Sequence, residues 1–149
     1  MSRITTERGL QHALHEIVHS PNDRQCCWKM QDAFTQGVPD QLFCVNGKVT
    51  WVELKYVPLE KINEGGFFDP KIRPAQFARA REWDACGGDV YFLIGVDDEV
   101  HACIVQQVPL PGAKVDRDGL RARSIWSAPL DRPNLRRFAA QFLGLPSTV

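Results

Sequence analysis

The dipeptide Asn46-Gly47, set between two runs of β-forming residues, constrains this chain more than any other feature. A two-residue type I′ turn needs positive φ at both central positions, which Asn and Gly tolerate, and its twist suits the flanking strands. Such a turn dictates the register. Val45 faces Lys48, and counting outwards pairs Cys44 with Val49, Phe43 with Thr50, Leu42 with Trp51, Gln41 with Val52, and Asp40 with Glu53. Strand side chains alternate between faces, so Asp40, Glu53 and Lys55 share one face while Leu54 points the other way, into a core.

Residues directly opposed across an antiparallel pair have Cβ atoms about 4.5–5.5 Å apart, and two carboxylates at that spacing repel. A shared proton or a hard cation in the gap relieves the repulsion. Oxygen-only ligation suits Mg²⁺ or Mn²⁺, with waters completing the shell. Lys55 would then orient or polarise a water on the metal, or hold a phosphate. The plainer reading is that Asp40 starts a strand after a Val-Pro turn and that Glu53 and Lys55 are a solvated charged face.

The combination of G-V-P-D at 37–40, the Asn-Gly hairpin and the W-V-E-L-K strand at 51–55 resembles the PD-(D/E)xK nuclease superfamily. It is closest in pattern to the small VRR-NUC and phage-type, Holliday-junction-resolvase-like branch. The K-I-R-P-A-Q segment ending at Gln76 is similar to that family's L-R-x-x-Q element. The resemblance spans residues 7 to about 105 and implies a restriction-endonuclease-like α/β fold with an αβββαβ core, a mixed central sheet flanked by helices and a C-terminal helical extension beyond about residue 106. It also implies a Mg²⁺- or Mn²⁺-dependent endonuclease. Asp40, Glu53 and the backbone carbonyl of Leu54 would hold the metal, Lys55 would position the nucleophile, and Gln76 would contact water or phosphate. Many such nucleases carry an acid on the first helix. Glu7 falls beside that helix's apolar stripe and Glu16 projects away from it, so Glu7 is the candidate; a first-turn Glu stabilised by the helix dipole is the alternative.

At 149 residues the chain suits one domain with a real core. Eighteen basic and eighteen acidic residues cancel, so any affinity for phosphate must come from local patches and bound metal. Two basic stretches exist, Lys71 to Arg81 and Arg121 to Arg137. Arg73, Arg79, Arg136 and Arg137 from these stretches, and Lys29 from the strand at 26–30, are candidate nucleic-acid contacts, with an ordinary solvated face as the alternative. The five cysteines include adjacent Cys26-Cys27 and no C-x-x-C pair, which points away from a disulfide scaffold or zinc site. A reduced, cytoplasmic protein of a bacterial or phage-infected cell is expected, with no membrane partner, since no run approaches about 18 apolar residues.

Thr5 or Thr6 caps a first helix to about His19, with Leu10, Ala13, Leu14, Ile17 and Val18 as one stripe. His12, His15 and His19 fall on its polar side. Cys26–Met30 reads as an edge strand leading into a loop at 32–37. Residues 56–70 read as a long loop, either a substrate-contacting flap or a segment packing its aromatics on the body. Arg73-Pro74 opens a second helix ending at Gly87-Gly88. Asp89–Gly95 reads as a strand buried on both faces, parallel to the one carrying Glu53, and Val100–Val105 as a further strand. Beyond Pro109 the chain loosens until Asp131 or Arg132-Pro133 opens a last helix carrying Leu135, Phe138, Ala139 and Phe142. That helix would contribute a DNA-contacting surface, form a dimer contact, or cover the sheet edge.

The function expected is hydrolysis of phosphodiester bonds in DNA, branched or otherwise structured DNA included, with RNA left open. A homodimer would favour junction cleavage, because symmetric paired incisions need two sites. The rivals are a non-catalytic nucleic-acid-binding module or phage accessory protein on the same fold, and a protein-interaction domain.

Overall fold

The computed structural model describes residues 3–30 and 40–147. The G-V-P of the G-V-P-D turn and the loop expected at 32–37 lie outside the described residues. In chain order the elements are α1 (Glu7–Val18), β1 (Gln25–Lys29), β2 (Gln41–Val45), β3 (Lys48–Val57), α2 (Pro74–Ala85), β4 (Asp89–Val96), β5 (Glu99–Cys103), α3 (Arg117–Arg123), β6 (Trp126–Pro129) and α4 (Arg132–Phe138). The six strands form one sheet in the order β1-β2-β3-β4-β5-β6. Among the described residues only β3 and β4 run parallel, because α2 carries the chain back across the sheet between them. The expected αβββαβ core is present.

The hairpin has the register that its turn requires, from Gln41 opposite Val52 to Val45 opposite Lys48. Asn46 has φ 49° and Gly47 φ 86°, the two positive values of a type I′ turn. The ladder stops one residue short of the acids: Asp40 lies just outside β2.

Each face of the sheet carries its own apolar cluster. On one, the α1 stripe of Leu10, Ala13, Leu14 and Val18 packs with Phe43, Val52, Leu54 and Leu93 and with Leu135, Phe138 and Leu143 from the C-terminal helix. Thr6 is the N-cap of α1, its hydroxyl accepting the Gly9 N–H at 2.9 Å. On the other, α2 covers β3 and β4. Trp83 stacks on Trp51 with ring centres 4.0 Å apart, and Phe92, Ile94, Phe68 and Leu120 are buried around them. β4 is thus apolar towards both layers, as its unbroken hydrophobic run implied.

Four elements differ from expectation. β5 starts at Glu99 and ends at Cys103, because Ile104 begins a turn whose carbonyl accepts from Gln107 and Val108. The stretch expected to be loose holds α3 and β6. α3 has seven residues, one of them Gly119, and buries only Leu120, so it carries no apolar period to read. β6 has four residues and ends in Pro129, which an edge strand tolerates. The last helix also continues past Phe138 as a π-helical turn, Ala139–Leu143, before Gly144 at φ 87° ends it. It packs on the face that α1 covers, not over an edge. Among the described residues no helix is long and apolar enough to cross a membrane.

A Cβ added at Gly47 would meet nothing within 4 Å, so the only penalty for Gly47→Ala is its left-handed backbone. The substitution is expected to lower stability by about 1–2 kcal/mol in urea denaturation, with the slope against urea unchanged.

Candidate metal and phosphate cleft

The second half of β3, the first turns of α1 and α2 and the segment that follows β3 converge on one cleft of about 420 Å³. Glu7, Asp40, Lys55, Arg73 and Gln76 line it. Glu53 lies against its floor, 2% exposed, and Lys55 beside it is 9% exposed. The plainer expectation of a solvated charged face is therefore overturned: Glu53 and Lys55 are ionisable groups withdrawn from solvent beside the apolar cluster under α2.

A backbone amide of β3 holds the Asp40 side chain in this place. β2 has ended where the amide of Leu54 needs a partner on that side, and the Asp40 carboxylate supplies one, Oδ2 accepting the Leu54 N–H at 2.9 Å. Gln76 does the same for Glu53. At the third position of α2 its Oε1 accepts the Arg73 N–H at 3.0 Å, closing the helix start, while its Nε2 donates to Glu53 Oε1 at 2.5 Å. One amide thus anchors the helix and orients the buried acid. The Lys55 ammonium stands 3.8 Å from the same Glu53 oxygen.

Burial, and then the charge of Asp40 and a hydrogen bond to it, push the Glu53 carboxyl up to about 9, against the pull of Lys55. Glu7, at the rim, is also raised, first by loss of solvent around its carboxylate and then by Asp40. A proton shared between Asp40 and Glu53 relieves this crowding, and so does a cation. The donors fit a hard divalent ion: two carboxylates and the Leu54 carbonyl between Glu53 and Lys55, all oxygen. Among the described residues no group of three or more His, Cys, Asp or Glu side chains is set to hold a metal, so Glu7 does not join the two acids in a ready-made three-carboxylate cage.

Of the basic candidates, Arg73 lines the cleft. Lys29 is exposed at the end of β1, Arg79 pairs with Glu82 on α2, and Arg136 and Arg137 lie on α4; none of these four lines it. Lys71, which opens the basic stretch at 71–81, lines it too, as do Lys61 and Asp69, two charged residues that sequence reasoning passed over. It also passed over His101, fully buried on β5 with Nδ1 2.7 Å from Ser127 Oγ, beneath ion pairs joining Arg117 and Arg121 to Glu99.

No protein-family profile matches the chain, and no curated protein does. Among solved structures, the Holliday junction resolvase Hjc of Archaeoglobus fulgidus, an archaeal hyperthermophile, superimposes with a TM-score of 0.51. The match covers 78% of this chain and 89% of that one at 13% identity. The chain shares that resolvase's fold. It is restriction-endonuclease-like, a mixed sheet between helical layers with a C-terminal helix added, as the family resemblance implied.

A carboxyl whose folded-state pKa is raised binds its proton more tightly folded than unfolded, so its contribution to stability is present below the unfolded pKa and is lost as pH rises towards the folded value. For Glu53 that window runs from 4.5 to about 9. In chelator, Glu53→Gln is expected to be more stable than the parent at pH 8, by on the order of 1 kcal/mol or more, and to lose that advantage near pH 4. Thermal melts across pH measure it.

Proposed function

We propose that this protein is a Mg²⁺- or Mn²⁺-dependent endonuclease that hydrolyses phosphodiester bonds in DNA, with branched DNA as its substrate class. The observation that carries the reading is the cleft itself: Asp40 and buried Glu53 crowd together beside Lys55 on a fold shared with a junction resolvase. Asp40, Glu53 and the Leu54 carbonyl would hold the ion, with Glu7 facing it from the rim. When bound, a divalent ion supplies Lewis-acid charge that eases deprotonation of water and offsets charge developing on the phosphate.

The remaining work falls to side chains of this chain. Lys55 brings a fixed positive charge to the place where the attacking oxygen and a non-bridging phosphate oxygen meet. Gln76 holds Glu53 in one rotamer, so that neither acid has to be reoriented when substrate arrives. The first turns of α1 and α2 add the positive ends of their dipoles to a site otherwise rich in acids. Paired incisions across a four-way junction need two such clefts, so a homodimer is part of the proposal.

Nicking of a four-way junction, a flap, a nicked duplex, linear duplex and single strands, with and without Mg²⁺, tests the reading. The parent is expected to cut the junction in Mg²⁺ and not in chelator. Asp40→Asn and Glu53→Gln should each lose more than about 10²-fold in rate, and Lys55→Ala about 10²-fold, with unchanged circular dichroism. Tight junction binding with no cleavage in either metal would instead favour a non-catalytic DNA-binding module.

A further inference from the structure

We propose that the segment from Pro58 to Arg73 is a rigid phosphate-binding wall of the cleft, in which Lys61, Lys71 and Arg73 hold the backbone phosphates flanking the scissile one. The inference rests on the nuclease reading above.

The segment is pinned at every turn. A 3₁₀ turn, Leu59–Lys61, closes on the Pro58 carbonyl, and Asn63 ties the next bend through its backbone and its side-chain oxygen to Phe67. Phe68 and Val115 exchange two backbone hydrogen bonds, at 2.9 and 3.0 Å. From there the chain alternates: Phe68, Pro70 and Ile72 are buried, while Asp69, Lys71 and Arg73 face the cleft. The expected choice between a flap and a packed segment is thus answered by a strap that buries Phe68, leaves Phe67 exposed and turns Asp69, Lys71 and Arg73 to the cleft.

Three observations give those charges a purpose. Lys71 sits at φ 63°, a left-handed backbone that glycine adopts more easily, with its N–H on Asp69 Oδ1 at 2.7 Å. Strain of this kind marks a position where the side chain is worth more than the backbone preference. Next, among the described residues Lys61, Lys71 and Arg73 combine a place in the cleft lining with no carboxylate within ion-pair distance, whereas Arg117 and Arg121, which line the pocket around Glu99, are neutralised there by Asp97, Asp98, Glu99 and Asp118. Finally, Lys55, Lys61, Lys71 and Arg73 line the cleft against Glu7, Asp40 and Asp69. Glu60 and Glu64, on the same strap, do not line it. A divalent ion on Asp40 and Glu53 would therefore leave the cleft cationic in a protein of zero net charge. Contacts of this kind position a strand without reading its bases.

The test compares the parent with Lys61→Ala/Lys71→Ala/Arg73→Ala and with Lys71→Gly. Binding of a labelled DNA duplex is followed by fluorescence anisotropy in chelator over a range of salt, and cleavage in Mg²⁺ gives kcat and KM. Loss of three phosphate contacts should flatten the slope of log K against log salt by about 2.7, from about 0.9 per phosphate. KM should rise at least tenfold, with kcat changed much less. Lys71→Gly should melt no lower than the parent, because its backbone strain is relieved, and yet bind more weakly. An unchanged salt slope and KM in the triple variant, with the parent cleaving normally, would overturn the wall. If the parent does not cleave but the slope flattens as stated, the wall stands and the nuclease reading fails.

Discussion

Two carboxyl groups that would rather be apart are held together by the backbone around them, and the rest of the site is arranged about that conflict. Glu53 is carried into the interior because β3 must alternate, placing Val52 and Leu54 on one face and Glu53 and Lys55 on the other. Asp40 is drawn to it by an unpaired amide at the point where β2 gives out. Neither placement is optimal for stability, since burying an acid that has to ionise is unfavourable. Local rules broken at one spot while satisfied elsewhere are what a functional site imposes on a fold.

The two layers on the sheet divide the labour. One face, with α1 and the C-terminal helix, is an apolar core of ordinary make: Leu10, Leu14, Phe138 and Leu143 are fully buried there. The other pairs α2 with the Trp51–Trp83 stack and then opens, at the end of β3, into the cleft. Gln76 joins core to chemistry, since the same side chain closes the start of α2 and grips Glu53.

Much of this could be read from residues alone where a strong local rule applied. Asn46-Gly47 specified the hairpin register residue by residue, and the bare apolar run at 89–95 announced a doubly covered strand. The site was legible to the extent that it hung on that register: Asp40, Glu53 and Lys55 come together as the alternation required, and Gln76 joins them from α2, where only the family resemblance had put it. Glu7 reaches the rim but does not complete a three-acid cluster. What escaped had weak local signals. α3 and β6 are too short to show a period, and the strap is held by one long-range pairing, Phe68 with Val115, that no local pattern encodes. Arg136 and Arg137 looked like a basic patch in sequence, but α4 places them away from the acids.

The central claim is that the hairpin's crowded acids exist to share a divalent ion, and a crystal grown in Mn²⁺ tests it most directly. An anomalous difference peak between the carboxylates of Asp40 and Glu53, within bonding distance of the Leu54 carbonyl, is the predicted result. Density with no such peak, and with Glu53 still held by Gln76 and no atom between it and Asp40, would contradict it.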